Sequence, residues 1–340
     1  MPPARRWRII FQSKSFCFSY PSVIWSESLR NILITGGAGN IGGSLACRLV
    51  RDPGNHVVVV DNLVTGEIGK LPPLEGPAFR FIKADVNDLS DLTPIMTATR
   101  FDYVFHYAAL VGVQRTLANP VAVLQDVDGI RNVLSLAKNT GVRRVFYASS
   151  SEVYGEPVEL PQHEQTTPLN SRLPYAIIKN LGESYCRSYH QEFGLEFNVF
   201  RFFNTYGPKQ TTDFVVPKFM DAALRGQDIT IYGDGQQTRT FCYIEDNLDT
   251  TVAVLDDPRW SGETINIGSD IEVTVLQLAE QIIEMTGSSS RIVHLPPLPE
   301  GDMTRRCPDI TKMKQALGRP LTPLAVGMKH LQQAMSTLVA

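Results

Sequence analysis

The chain has 340 residues, 20% of them charged, and a formal net charge of −3 at neutral pH. This length is enough for a large core and favours two lobes. The slight acidity excludes a broad basic surface for nucleic acid, so an anionic ligand would need a local basic pocket. No apolar run reaches the roughly 18–20 residues that span a bilayer. From the net charge and the lack of such a run, we expect neither nucleic acid nor a membrane as a partner.

The cysteines and the first 30 residues bear on the compartment. The cysteines are widely spaced and form no CxxC pair, which argues against a disulfide framework or a metal site and favours a reducing compartment. They are Cys17, Cys47, Cys186, Cys242 and Cys307. Residues 1–30 are basic, serine-rich and acid-poor, as in an organelle transit peptide; a disordered tail or a misassigned start are the alternatives. We therefore predict a cytoplasmic protein, or an organellar one if this extension is a targeting signal.

From Asn31 onward, strand-like and helix-like segments alternate. The run HVVVVDN at 56–62 is continuously apolar and β-branched, as in a parallel strand covered on both faces. Further strands are predicted at 31–35, 79–86, 101–109 and 143–149, and helices at 40–52 and 121–139. This order indicates parallel βαβ units with right-handed crossovers. The predicted fold is an α/β Rossmann-type doubly wound sheet over residues 31–205.

The character of the chain changes after Thr205. Residues 206–243 are rich in glycine, threonine and turn signals, with only short strands. An amphipathic helix is predicted at 274–287, and a proline-rich loop at 295–302. We therefore predict a smaller substrate-binding lobe at 206–335.

The segment TGGAGNIGG stands where a strand must turn into a helix. Its glycines Gly37, Gly39 and Gly42 fit G-x-G-x-x-G, and Gly36 adds an evenly spaced variant of the pattern. Such a loop permits a tight turn and close approach to a pyrophosphate at the helix N-terminus. Asp61, at the end of the next strand, can accept both ribose hydroxyls and would repel a 2′-phosphate. The sequence therefore predicts NAD rather than NADP as the cofactor.

Tyr175 and Lys179 are four residues apart in LPYAIIKNLGE and so share one face of a helix. An adjacent ammonium favours the phenolate and lowers the pKa of the phenol. Tyr175 can then accept a proton from a substrate hydroxyl while a hydride leaves the same carbon. The alternative is a surface pair without function.

Together these segments resemble the extended short-chain dehydrogenase/reductase family of NAD-dependent sugar-nucleotide epimerases, dehydratases and decarboxylases. The similarity runs from Asn31 to about His330. Its matching stretches are TGGAGNIGG, VVDNL, ADV, FHYAA, SSSEVYGEP, YAIIK, RFFNTYGPKQ and IYGDGQQTRTFCYIED.

The resemblance implies roles for individual residues. The catalytic positions are Tyr175, Lys179, Ser150 and Glu152. Contacts to NAD are implied for Gly36, Gly39, Asn40, Ile41, Gly42, Asp61, Asn62, Asp85, Val86, Tyr107, Ala108, Ala109 and Ser149, as well as Tyr175 and Lys179, with His106 on the segment that passes the pyrophosphate. Contacts to a sugar nucleotide are implied for Ser151, Glu152, Asn204, Val215, Tyr232, Arg239, Arg306 and Asp309. A homodimer formed through the helices at 121–139 and 175–192 is also implied.

In the family that the chain resembles, NAD first oxidises the C4 hydroxyl of the sugar to a ketone. The residues around Glu152 bear on which reaction follows this oxidation. The Ser-Glu pair Ser151-Glu152 and the segments QTRTF and RRCPDI resemble UDP-glucuronate decarboxylases, in which a transient 4-keto acid loses CO2. The segments SRLPYAIIK and GPKQ resemble 4-epimerases instead, so an epimerase acting on a UDP-sugar is the alternative. A 4,6-dehydratase is disfavoured because Ser151 replaces the aspartate of the dTDP-glucose type. A non-enzymatic NAD-binding regulator is disfavoured by the intact Tyr175, Lys179 and Glu152.

Overall fold

The computed structural model describes residues 29–73, 76–297 and 304–339. Almost all of the predicted N-terminal extension, residues 1–28, and most of the predicted proline-rich loop, residues 298–303, lie outside this range. In the described part of the chain, no helix is both long and apolar enough to cross a bilayer.

Strands and helices alternate along the described chain much as the apolar pattern predicts. The strands are β1 Arg30–Thr35, β2 Asn55–Asp61, β3 Phe79–Lys83, β4 Tyr103–His106, β5 Arg144–Ser150, β6 Glu196–Phe202, β7 Thr205–Tyr206, β8 Ile229–Tyr232, β9 Thr238–Thr240, β10 Cys242–Tyr243, β11 Thr264–Ile267, β12 Glu272–Thr274 and β13 Ile292–Leu295. The helices are α1 Asn40–Leu49, α2 Leu89–Ala98, α3 Val113–Ala118, α4 Pro120–Thr140, α5 Pro174–Phe193, α6 Val215–Leu224, α7 Ile244–Asp256, α8 Val275–Thr286, α9 Thr311–Leu317 and α10 Leu324–Val339. Short 3-10 turns cover Ile68–Lys70, Ser151–Tyr154 and Pro258–Trp260.

The large sheet has seven strands in the order β11-β6-β5-β4-β1-β2-β3, and every pair of neighbours is parallel. The strand order reverses between β1 and β4, which is the topological switch point of a doubly wound sheet. The predicted Rossmann-type fold is therefore confirmed.

The sheet is apolar on both faces because helices cover each of them. Alternate residues of β1 show this: Ile32 and Ile34 belong to one buried cluster, and Leu33 between them belongs to the other. Val57 to Val60 in β2 alternate in the same way and are almost completely buried. The continuous β-branched run of the sequence thus follows from burial on two sides.

Shorter strands form separate two-stranded pairs outside the large sheet, among them β8 with β13 in parallel and β9 with β12 antiparallel. The amphipathic helix predicted at 274–287 is α8, which begins with a capping box between Thr274 and Gln277. Before β12 and α8 the chain has already returned to the large sheet, since β11 pairs with β6. The division of domains after residue 205 stays a prediction, and the return of β11 is a feature that the sequence did not indicate.

Candidate active site

A cavity of about 750 Å³ opens at the carboxyl ends of the central strands. It begins at the turn after β1, passes the ends of β2, β4 and β5, and reaches the segment before α6. This is where doubly wound sheets bind their ligands, and the volume falls within the range of small-molecule sites. The fold thus places one large cavity at the switch point.

Most of the residues that the sequence predicts for the site meet in this cavity. Those that line it are Gly36, Gly39, Asn40, Ile41, Gly42, Asp61, Asn62, Asp85, Val86, Tyr107, Ala108, Ala109, Ser149, Ser150, Ser151, Glu152, Tyr175, Lys179, Asn204 and Arg306.

The glycine turn after β1 fits a pyrophosphate. Gly36 has φ +65°, and a Cβ there would lie 2.5 Å from the backbone nitrogen of Ala108. A Cβ on Gly42 would lie 2.5 Å from the carbonyl oxygen of Gly36. Helix α1 begins after Gly39, the N-cap residue, and no side chain of that residue accepts a hydrogen bond from the first backbone amides of the helix. The first amides of the helix are therefore available to an anion, as dinucleotide binding requires.

Two polar groups beside this turn complete the cofactor side. The carboxylate of Asp61 accepts from the amides of Ala38, at 2.9 Å, and Leu63, at 2.8 Å, which fixes its orientation at the end of β2. The buried Oδ1 of Asn40 accepts no hydrogen bond from the described residues. A fixed carboxylate and an unsatisfied acceptor in one cavity fit the hydroxyl groups of a dinucleotide.

Tyr175 and Lys179 line the same cavity from the first two turns of α5. The Nζ atom of Lys179 is 5.7 Å from the centre of the Tyr175 ring and 5.3 Å from that of Tyr147. Hydrogen bonding with the Ser150 hydroxyl lowers the pKa of the Tyr175 phenol, so the two hydroxyls are neighbours. This Ser150 oxygen in turn accepts from the backbone amide of Glu152 at 3.2 Å. The phenol and the serine hydroxyl thus converge where a substrate oxygen can bind.

The pKa of the Tyr175 phenol differs from the lowered value that its spacing to Lys179 predicts. Burial raises the pKa of the Tyr175 phenol, and the negative charge of Glu152 raises it further. The hydrogen bond with Ser150 and the charge of Arg306 act in the opposite direction. Burial lowers the pKa of Lys179 to about 8. The pKa of the Tyr175 phenol is therefore raised overall and not lowered, because the effect of burial exceeds that of the nearby charges.

Glu152 and Arg306 approach each other next to the phenol. Glu152 belongs to the 3-10 turn after β5, and Arg306 belongs to the segment after residue 303. Their Oε1 and Nη1 atoms are 3.8 Å apart, and the side chains are 19% and 8% exposed. The cavity thus holds an acid and a guanidinium beside a phenol, a serine hydroxyl and an ammonium.

A buried network supports the wall behind these residues. The hydroxyl of Ser149 donates to Glu183 at 2.6 Å, and Glu183 accepts from Arg201 in a bidentate pair at 2.8 and 2.7 Å. Arg201 also donates to the hydroxyl of Tyr154. The sequence contains a signal for Glu183, since it lies four residues after Lys179 on the same face of α5.

Some residues predicted for the site lie elsewhere. Val215, Tyr232, Arg239 and Asp309 do not line the cavity. Val215 begins α6 directly after Phe214, which does line it, and Asp309 lines a separate pocket. Tyr232 is on β8 and Arg239 on β9, both within the predicted smaller lobe. Their roles as substrate contacts stay predictions, as do the roles of the lining residues.

His106 is buried at the end of β4, where its Nδ1 is 2.9 Å from the hydroxyl of Thr35. Burial lowers the pKa of this imidazole to about 3, and the charge of Lys179 acts in the same direction. His106 therefore stays neutral at physiological pH and supports the strand ends that carry the cavity.

Sequence reasoning missed two features of the cavity. Asp126 on α4 lines it and accepts from the backbone amide of Leu110 at 2.9 Å. Arg115 on α3 lines it as well and pairs with Asp213, at 3.0 Å, on the segment before α6. Nothing in the local sequence separates these charges from ordinary surface charges of helices and loops, so only the packing of the chain identifies them.

The comparisons with known proteins agree with this geometry. The family model of the NAD dependent epimerase/dehydratase family matches residues 32–268. The chain is 38% identical over 302 residues to the UDP-N-acetyl-alpha-D-glucosaminuronate decarboxylase of Bacillus cytotoxicus, covering 84% of this chain and 91% of that protein. It is 35% identical over 316 residues to UDP-glucuronic acid decarboxylase 5 of Arabidopsis thaliana, covering 90% and 89%.

A solved structure is similar over nearly the whole chain. It is the UDP-glucuronic acid 4-epimerase of Bacillus cereus in complex with UDP-glucuronic acid and NAD. The TM-score is 0.83 at 29% identity, covering 91% of this chain and 99% of that one. The expectation of an NAD-dependent enzyme is therefore confirmed, and this chain belongs to the NAD-dependent epimerase/dehydratase family.

Proposed function

We propose that this chain decarboxylates a UDP-linked hexuronic acid through a transient 4-keto intermediate. The observation that carries the proposal is the position of Glu152 and Arg306, which face each other at 3.8 Å beside the Tyr175 phenol. Relatives that are named decarboxylases of UDP-hexuronic acids support it. UDP-glucuronate is the first substrate to consider, and its 2-acetamido analogue is the second.

The first step assigns Tyr175 as the base. Its phenolate removes the proton of the C4 hydroxyl, and the Ser150 hydroxyl holds the same oxygen by a hydrogen bond. Bound NAD supplies the acceptor for the C4 hydride and returns that hydride at the end. Lys179 keeps a positive charge next to the phenolate and so favours its ionised form. The product of this step is a ketone at C4, which makes the C5 carboxylate a β-keto acid.

The second step assigns Glu152 and Arg306. The bond between C5 and the carboxylate carbon breaks, its electron pair moves into the ketone as an enolate, and CO2 leaves. Arg306 provides the guanidinium that orients the carboxylate beforehand, since its planar fork matches the geometry of that group. Glu152 takes part in delivering the proton to C5 after CO2 has left. A half-buried acid beside a guanidinium is suited to both tasks.

The mass of the product tests the proposal. The purified chain is incubated with NAD and, separately, with UDP-glucuronate, UDP-N-acetylglucosaminuronate, UDP-glucose and UDP-N-acetylglucosamine. We expect one of the two acids to lose CO2 and the neutral sugars to stay unchanged. An unchanged mass with an inverted sugar would favour the epimerase alternative instead, and loss of water would indicate a dehydratase. Turnover of neither acid would refute the proposal.

We also propose that the chain forms a homodimer through the outer surfaces of α4 and α5. Apolar side chains are exposed there: Val121 is 70% and Leu124 43% exposed on α4, and Ile177 is 46% and Leu181 38% exposed on α5. Apolar side chains on adjacent helices favour an interface that removes them from water. Light scattering of the purified chain measures the mass, and a monomer at high concentration would refute a dimer.

A cytoplasmic location is the compartment that we propose. It is supported by the thiols of Cys47, Cys186, Cys242 and Cys307, which the structure describes as free. Free thiols of this kind are typical of reducing compartments. Imaging of the full-length chain carrying a fluorescent tag tests the location, and a signal confined to an organelle would favour targeting by residues 1–30.

A further inference from the structure

Asp126 is a carboxylate in the cavity to which the proposed mechanism gives no task. It projects from α4, where the backbone amide of Leu110 donates to it at 2.9 Å and the side chain of Asn87 lies close enough to lower its pKa. Asn87 is itself fixed, since its Oδ1 accepts from the amide of Gly129 at 2.9 Å. A Cβ on Gly129 would lie 2.6 Å from that oxygen, so the close packing there depends on glycine.

The charged and titratable groups that act on Asp126 come from several elements. Lys179 and Tyr175 face it from α5, Tyr147 from β5, and Asp85 from the segment after β3. Lys179 is the cation of this set. Burial raises the pKa of Asp126, and hydrogen bonding from the Leu110 amide, the charge of Lys179 and the nearby Asn87 side chain oppose this rise.

The negative charge of Asp126 affects both members of the catalytic pair. It favours the ammonium form of Lys179, whose pKa burial lowers to about 8. It disfavours the phenolate of Tyr175 and so acts together with burial and Glu152 on the pKa of the phenol. Because the reaction needs a phenolate beside an ammonium, one carboxylate influences both ends of the active pH range.

We propose that Asp126 is a positioning residue that acts through Lys179 and Tyr175 and sets the pH range of the reaction. The geometry supports this role, since the carboxylate shares one cavity with both groups and the backbone amide of Leu110 fixes its position. The inference rests on the proposed function in one respect, the assignment of Tyr175 as the base.

The first test uses the NAD-loaded enzyme and the substitution Asp126→Asn, which keeps the shape and removes the charge. We expect the bell-shaped pH profile of turnover to move to lower pH by about one unit, because the phenol ionises more easily and the ammonium loses its proton earlier. The matched control is Asp128→Asn on the same helix, where the side chain is 52% exposed and pairs with Arg131. This control is expected to leave the profile in place.

The second test is independent of activity. The lysine side chains of the chain without substrate are labelled with carbon-13, and Lys179→Met identifies the Lys179 signal in the magnetic resonance spectrum. We expect a midpoint near the pKa of about 8 in the parent chain and a lower midpoint in Asp126→Asn. An unchanged midpoint, or a uniformly slower reaction without displacement of the pH profile, would overturn the role of Asp126. If the parent chain turned over neither acid, the proposed function would fail while the lysine titration still decided this inference.

Discussion

The two halves of the cavity are built in different ways. The cofactor half consists of backbone turns and short side chains at the ends of β1 and β2, and it comes from consecutive βαβ units. The sugar half brings together Ser150 and Glu152 after β5, Tyr175 on α5, Asn204 after β6 and Arg306 near the end of the chain. The first half depends on local geometry, and the second half depends on how distant segments pack.

This difference predicts separable effects of substitution. Changes in the sugar half should slow the chemical step and leave NAD binding intact, because the proposed mechanism places its side chains at the reacting sugar. Changes in the cofactor half should weaken NAD binding first, because the turn there admits no additional atoms.

The largest effect is expected for Tyr175→Phe, which removes the proposed base. Turnover should fall by about 100- to 10,000-fold, the contribution that acid–base catalysis makes in enzymes. The affinity for NAD, measured by calorimetry, should stay within about twofold. The control Tyr185→Phe changes the same residue type three turns along α5, outside the cavity. Normal turnover of Tyr175→Phe would exclude this phenol as the base.

A smaller but more specific effect is expected for Glu152→Gln. Formation of the decarboxylated product should slow by about 100-fold, because the acid can no longer deliver the proton to C5 after CO2 has left. The initial oxidation at C4, followed in a single turnover by the absorbance of the reduced cofactor, should be nearly unchanged. Glu192→Gln, an exposed position near the end of α5, is the matched control. If both steps slowed equally, Glu152 would have no separate role in decarboxylation.

The cofactor half is tested by Gly42→Ala. The new Cβ would lie 2.5 Å from the carbonyl oxygen of Gly36, so the turn must shift. Overpacking of this kind costs about 1–3 kcal/mol, and we expect NAD affinity to fall by about tenfold or more. Saturating NAD should restore most of the turnover. Gly69→Ala, where no atom lies within 4 Å of a new Cβ, should bind NAD normally. Equal affinities in the two variants would contradict the close approach at Gly42.

The smallest effect concerns stability and His106, which is buried behind the cavity. Its folded pKa of about 3 is below the usual value of about 6.5, so the unfolded chain binds the proton first as the pH falls. Stability should therefore decrease below about pH 6.5, by at most about 1.4 kcal/mol per pH unit from this group. His106→Gln should lose less stability than the parent chain between neutral and mildly acidic pH in urea unfolding. The control His294→Gln changes an exposed imidazole and should show the same pH dependence of stability as the parent chain. If the parent chain and both variants showed the same pH dependence, His106 would be excluded as its cause.

Much of the cofactor half could be predicted because its signals are local. The glycine spacing after β1, the aspartate at the end of β2 and the apolar runs of the strands each lie within a few residues. The Tyr175–Lys179 pair was predictable for the same reason, since a helix brings residues four apart onto one face. The boundaries of α4 and α8 were also predicted to within one residue, because helix-forming stretches end at glycines.

The sequence by itself determined strands β1 to β5 of the sheet, the glycine turn and the tyrosine–lysine pair, since these depend on short-range periodicity and turn geometry. Only the tertiary structure decided that Arg306 faces Glu152, that Asp126 shares the cavity with Lys179, and that β11 pairs with β6. The physical reason is that a charge on a helix or loop has no local signature of its partner. Its environment, and therefore its pKa and its role, arises when segments far apart in the chain exclude water together.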